Sequence, residues 1–436
     1  MVIRGENSIT GVNQPLFVVN GVPVDNTLGG LMGTLTDQGG YDYGNPIQDI
    51  NPDDIASITV LKGPNAAALY GSRAANGAVL IETKTGQGAI GGTEIVVSQQ
   101  MTFEDELRLP DYQNVYGGGY NGDFSFYDGF GNGVFDEADE SWGPPLDVGL
   151  MIPQWFSTYD PTTDTRAADP WVSHPNNVDD FFEVGTTATT NVSLAGATEN
   201  LYGRAAFSRM NLKGMQPGHE QERTSFSFSG AMSALERITL NTSVQYIASE
   251  GLNRPGVGYG SDNIMGGFVW WNRNIDTKQL KQYYNQTRPL EEPTIGGFPY
   301  SWTTLYWVNP YFKAYENRNS DERDRLIGQM TASMELTPWL TAQLRSGTDW
   351  YRDVRLKTYA ANPQVDIAGD YTTNPLDAGR EYIDGGGSFG LWNIDFQETN
   401  TDFLLTADPE LSLPVGASLT LGGNRRDFER KNDYTW

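Results

Sequence analysis

Strict alternation of apolar and polar side chains limits this chain more than any other feature. Ala188, Thr190, Val192 and Leu194 alternate with Thr187, Thr189, Asn191 and Ser193. Leu201, Gly203, Ala205 and Phe207 oppose Tyr202, Arg204 and Ser208, and Phe226, Phe228 and Met232 oppose Arg223, Ser225, Ser227 and Ser229. The same holds for Ile238–Tyr246, Leu326–Leu336 and Leu340–Arg345. A period of two places successive side chains on opposite faces of a pleated strand, so these segments read as half-buried antiparallel strands. No apolar run approaches the roughly 18 residues of a membrane helix. A transmembrane β-barrel remains open, because alternating strands look polar on average.

The connections sort into two kinds. Short turns fall at "GATEN", "SALER" and "LTPW", and long segments at about 103–186, 250–322 and 354–397, with a brief one near Lys213–Gln221. Short and long alternate along the chain. Outer-membrane barrels have that layout, with short turns at one end and long loops at the other. A sandwich would not usually gather its long loops at one end, and loops beyond about 15 residues are uncommon in compact domains.

Residues 1–86 read as a separate small α+β domain. "PLFVVNGVPV" gives two strands around Asn20-Gly21, a hairpin signal because both residues tolerate positive φ. "NPDDIASITVLKG" reads as a helix start capped by Asn51, leading into a strand over Ser57–Leu61. "PNAAALYG" reads as a short helix, and "NGAVLIETKTG" as a closing strand. Residues 87–92 form a linker, and 93–436 carry the alternating strands. Gly86-Gln87-Gly88-Ala89-Ile90-Gly91 matches G-x-G-x-x-G. A dinucleotide fingerprint needs a helix after it, but "GTEIVVSQQ" is another strand, so the glycines read as a hinge.

Composition removes whole classes of function. The formal net charge is −26, against a nucleic-acid binder or a protein that docks on anionic headgroups. There is no cysteine, so disulfides, thiolate catalysis and Cys-based zinc sites are excluded. Histidine occurs only at positions 174 and 219, which makes a His-based catalytic or metal centre improbable. Nothing places paired carboxylates across a cleft, so an enzyme reading has no support.

Two features invite a binding role. Residues 101–183 hold 17 acidic and 2 basic residues. Within them, "DGFGNGVFDEAD" lays Asp128, Asn132, Asp136 and Asp139 on positions 1, 5, 9 and 12 of a calcium loop, with Gly133 at the turn. Phe130 at position 3 cannot ligate, and position 12 lacks a Glu, so a solvated acidic loop competes with a Ca²⁺ site. The second feature is aromatic: Trp270, Trp271, Trp302, Tyr306 and Trp307 lie in the 250–322 connection. They suit stacking on sugar rings or peptide side chains, or girdle and packing roles.

"IRGENSITGVNQPLFVVNGVPVDN", "NPDDIASITVLKGPNAAALYGSRAANGAVLIETKTG", "SWGPPLD" and "NPYF" resemble the SusC/RagA family of TonB-dependent outer-membrane transporters. The resemblance is densest over residues 1–92. It implies a plug domain inside a large membrane all-β antiparallel barrel of about 22 strands, of which nine or ten are present here. The start of the plug and its TonB box are expected to lie outside the sequence, and so few strands leave an open edge that lipid cannot satisfy. The resemblance further implies import of an oligosaccharide or peptide too large for porins, across the outer membrane of a Gram-negative, Bacteroidetes-like cell. A SusD-like lipoprotein lid and TonB–ExbB–ExbD would be the partners, with outer-membrane lipid around the wall, no nucleic acid and no required cofactor. Arg4 matches a plug arginine that locks plug to barrel by pairing with barrel glutamates. The alternative from a different class is a secreted or surface glycan-binding β protein without transport activity.

Overall fold

The computed structural model describes residues 3, 13–26, 40–63, 66, 70–89, 92–124, 140–234, 237–258, 262–292, 300–302, 308–361, 387–409 and 417–435. The first domain is built on β1 (Leu16–Val19), β2 (Val22–Val24), β4 (Ile55–Leu61) and β5 (Ala78–Thr83), in the order β2-β1-β5-β4. β1 and β2 form the expected hairpin, with Asn20 at φ 49° and Gly21 at φ 87°. β5 runs parallel to β1 and antiparallel to β4. Phe17, Val19, Ile50, Val79 and Ile81 pack on one face of this sheet, and Leu16, Val18, Ala66, Ala74 and Ala78 on the other. Between β2 and β4, the two-residue strand β3 (Gly40–Tyr41) stands away from the sheet.

The helix expected to start at Asn51 is a single 3-10 turn, Pro52–Asp54, and β4 begins at once with Ile55. The capping signal was real, since the Asn51 side chain accepts from the Asp53 amide. The β-branched residues that follow suit a strand and end the turn.

The wall is a nine-stranded antiparallel sheet in the order β19-β18-β17-β16-β14-β13-β12-β11-β6. It comprises β6 (Thr93–Glu104), β11 (Gly185–Ala197), β12 (Leu201–Lys213), β13 (Glu220–Ala234), β14 (Ile238–Leu252), β16 (Arg318–Thr337), β17 (Leu340–Tyr359), β18 (Ser388–Ala407) and β19 (Leu419–Thr435). The remaining two-residue strands lie in the long connections: β7 (Met151–Ile152), β8 (Tyr159–Asp160), β9 (Thr165–Arg166), β10 (Asp169–Pro170) and β15 (Gly256–Val257). The described wall is open, with β6 and β19 at its two edges.

Register aligns the alternation from strand to strand. Val97, Val192, Phe207, Phe226, Tyr246 and Leu326 are successive cross-strand neighbours, and all six are exposed on the outer face. A contiguous exposed apolar band of this kind is the surface a bilayer covers. On the inner face Ser225, Ser227, Ser229, Gln245 and Asp349 are buried against the first domain. β16, β17 and β18 each have 20 residues, about twice the ~10 that cross a bilayer. Their ends nearest the long connections turn charged side chains outward, at Glu322, Asp324 and Arg352. The strands therefore take in residues 318–322, 354–359 and 388–397, which the sequence assigns to loops.

The first and second long connections fold together as a rim. Trp155, Val178 and Phe181 from the first share one buried core with Ile264, Phe268, Trp271, Ile275, Leu280, Trp302 and Tyr311 from the second. Ring centroids lie 4.5 Å apart for Phe268–Trp271 and 5.0 Å for Phe181–Phe268.

Candidate functional site

The first domain is seated on the inner face of the wall through polar contacts, and these build from tight turns in its chain. Asn51 caps the Pro52–Asp54 turn and turns its amide to Asn191 on β11, 3.0 Å away. Asp54, 2% exposed, accepts from Arg204 of β12 at 2.7 Å and from the Ser227 hydroxyl of β13 at 2.7 Å. Ser229 donates to the Lys84 carbonyl at 2.7 Å. Two residues on, a Cβ at Gly86 would fall 2.0 Å from the Gly203 carbonyl oxygen. Only glycine permits this approach of two backbones. The first half of the G-x-G-x-x-G stretch is therefore a 3-10 turn, Gly86–Gly88, lying on the wall just before β6 begins. A cavity of about 430 Å³ opens beside it, lined by Asp53, Lys84, Glu94, Ser98 and Arg204.

The densest contact lies against β16 and β17. Asn45 caps the turn Pro46–Asp49, whose last residue reaches the wall. Asp49 accepts from Arg325 at 3.2 Å and stands 3.5 Å from Arg323. Arg325 also forks onto Asp349, with both bonds at 2.9 Å, and donates to the Asp25 carbonyl at 3.1 Å. Arg323 and Arg355 each reach Asp353 at 2.8 Å. Asp25 closes the network: its amide donates to Asp349 at 2.8 Å, and its carboxylate accepts from Tyr351 at 2.7 Å. Arg223 of β13 donates to the Gln48 carbonyl.

A third anchor links Arg73 to Glu398 of β18 at 2.6 Å, where Arg426 of β19 meets the same carboxylate at 2.8 Å. Asp349 and Glu398 face each other across β17 and β18. Their like charges are tolerated because each is held by different arginines. Next to this anchor a cavity of about 350 Å³ separates Val22, Tyr70 and Arg73 from Arg345, Asp402 and Arg426.

Buried charges are tolerated only when paired and hydrogen-bonded, and a guanidinium forked on a carboxylate is the strong form. An exchange of such contacts for water is nearly balanced, because desolvation and Coulomb attraction offset each other.

The sequence-derived site residues fare differently. Arg4 lies outside the described residues, as do Asp128, Asn132, Asp136 and Asp139, and Tyr306 and Trp307. Trp271 and Trp302 are each 4% exposed inside the rim core, and Trp270 packs partly buried against it. Their rings fill space between two connections, and in this packing Trp271 and Trp302 do not face solvent. Among the described residues, no cluster of three His, Cys, Asp or Glu side chains could hold a metal. Within the rim, Arg288 pairs with Glu292 at 3.2 Å, and burial pulls its guanidinium down to about 10, still cationic at neutral pH.

The arginines and aspartates of β16 and β17 were absent from the sequence reading. Arg323 and Arg325 are two apart, as are Asp353 and Arg355, so the period-two pattern runs on through them with charge on the inner face. That continuation was the available signal.

The family model described as TonB-dependent Receptor Plug Domain matches residues 1–78. The chain is 25% identical over 335 residues to a TonB-dependent receptor of Formosa agariphila, covering 75% of this chain and 26% of that protein. It is 29% identical over 155 residues to the TonB-dependent receptor SusC of Bacteroides thetaiotaomicron, covering 35% of this chain and 13% of SusC. Among solved structures, the RagAB peptide importer in its closed-closed state matches with a TM-score of 0.61 at 16% identity, over 99% of this chain and 43% of that one. The chain thus spans less than half the length of these relatives.

Proposed function

We propose, from the premise that this chain is SusC/RagA-like in plug and wall, that it forms the plug and leading barrel strands of a TonB-dependent importer in the outer membrane. The cargo class is a nutrient too large for porins, an oligosaccharide or a peptide. A SusD-like lipoprotein lid and the TonB–ExbB–ExbD complex are the partners this reading supplies.

One observation carries the proposal: a small sheet seated on the inner face of an apolar-banded wall by buried ion pairs, with Gly86 packed directly on Gly203. A static lectin would gain nothing from so many charges between two of its own layers. A gate gains reversibility, because water replaces each protein partner as the plug shifts. No bond is made or broken. Force applied to the plug extracts Asp49 and Asp54 from their arginines, and the cavities beside Gly86 and beneath Arg345 widen into a passage.

The test is uptake by cells carrying the full-length protein, with fluorescent oligosaccharide and peptide pools supplied separately. Uptake of one pool that stops when TonB is deleted is the expected result. Uptake that survives loss of TonB, or a protein absent from outer-membrane extracts, overturns the proposal.

A further inference from the structure

Away from the main seam, plug and rim are stitched directly together. β3 of the plug pairs antiparallel with β15 of the rim, Gly256 opposite Tyr41 and Val257 opposite Gly40. This is the one described strand pairing between these two bodies. The wall clamps it with side chains. The Lys357 ammonium lies 5.4 Å from the centre of the Tyr41 ring and 4.4 Å from that of Tyr359. It is also 2.6 Å from Asp262 of the rim, which accepts from the Tyr359 hydroxyl at 3.1 Å. Next along the plug, the Tyr43 ring sits under the Arg355 guanidinium at 4.2 Å and is 8% exposed. Arg355 holds Asp353 in turn, and so joins this point to the network around Asp49.

The rim side is equally constrained. Arg254, at the base of the connection, forks onto Asp321 at 2.5 and 2.9 Å. A Cβ at Gly256 would lie 2.4 Å from the Asp262 carbonyl oxygen, so the chain doubles back tightly. Asn263 closes the loop onto the Gly258 carbonyl at 2.7 Å, and Ile264 then enters the rim core at 5% exposed. Among the described residues of this stretch, Gly258, Asp262 and Asn263 are each held by these contacts.

We propose that this clasp, β3 on β15 clamped by Lys357, Asp262, Tyr41 and Tyr359, is a latch that holds the plug shut against the rim and must part before anything passes. Two paired residues make a weak ladder on their own. The cation–π and ion-pair contacts give it strength, and both are lost together when Lys357 withdraws. Lys357 is a positioning residue: it touches no cargo, but sets whether plug and rim move as one body. The inference rests on the transport reading above.

The test uses the full-length protein in lipid. With Lys357→Met, amide hydrogen exchange at Gly40, Tyr41 and Val257 should quicken about tenfold or more, while Phe17 and Val79 in the plug core stay protected. Planar-bilayer conductance in KCl should show openings that the native protein lacks. Unchanged exchange overturns the clasp. Deleting residues 1–86 separates the remaining failures. If the plugless chain conducts and Lys357→Met does not, the latch is wrong; if even the plugless chain is silent, the transport reading is wrong.

Discussion

The seam and the rim join distant parts of the chain by different means. At the seam, Asp49, Asp54 and Asp25 meet Arg325, Arg323, Arg204 and Tyr351, and Ile327 of the wall packs into the plug's apolar core beside them. In the rim, Trp155, Phe181, Phe268, Trp271 and Tyr311 exclude water, around one buried ion-pair cluster in which Arg166 and Arg288 share Glu292. Arg273 adds polar ties: it forks onto Asn114 at 3.0 and 2.9 Å and donates to the Pro175 carbonyl at 2.7 Å. Apolar burial is lost outright when surfaces part, at about 25 cal/mol per Å². A hydrogen-bonded ion pair exchanges for solvent at little net difference. The rim is thus held mainly by apolar burial and the seam by buried ion pairs.

The largest expected effect tests the rim. Trp271→Ala should remove about 3–5 kcal/mol of local stability. Limited proteolysis should then cut the 105–184 and 253–317 connections, while exchange protection in β4 and β5 is kept. Loss of plug protection at the same time would show that rim and seam are one cooperative unit.

The next test is at the seam. Asp349→Leu alone takes from Arg325 the carboxylate it forks onto, leaving it Asp49 and the Asp25 carbonyl, and should cost about 3–5 kcal/mol. Arg325→Met with Asp349→Leu should recover most of that loss, since a buried pair is worth little net. Thermal unfolding of the three proteins measures both steps. A double variant as unstable as the single would mean that the ion pair is structural cement, and the contrast with the rim would fail.

The smallest effect lies where the two regions meet. His219, between β12 and β13 near the long connections, is held by burial at about 4, helped by the nearby Arg254 charge. Its folded value lies below the free value of 6.5, so the unfolded chain binds the extra proton first. Stability is therefore full above pH 6.5 and falls as pH drops toward 4, by about 2 kcal/mol once partial exposure is allowed for. His219→Gln should flatten the melting temperature between pH 4 and 6.5. A profile as steep as that of the native protein would remove His219 as its source.

Much of the fold was legible in order. Alternation at Thr187–Leu194 and Phe226–Met232 fixed both strand and face, because one face meets apolar surroundings and the other the plug. "VNGV" fixed its hairpin because Asn20 and Gly21 accept positive φ. The site was less legible. Arg323 and Arg325 sit in "SDERDRL", which reads locally as a solvated charged loop. Their partners are 24 to 300 positions away in the chain, so no local pattern shows that they are paired. For Trp271 the sequence leaves stacking and packing roles open, because part of what covers it, Phe181 on the first long connection, lies 90 positions away.

The sequence alone thus settled the period, the faces, the hairpin and the order of short and long connections, since these depend on neighbours one to four residues apart. Which charges are buried, which aromatics are core and where plug touches wall and rim were decided by the tertiary structure. Pairing energies and burial depend on what stands opposite in space, and here what stands opposite Asp49, Trp271 or Tyr41 is another part of the chain altogether.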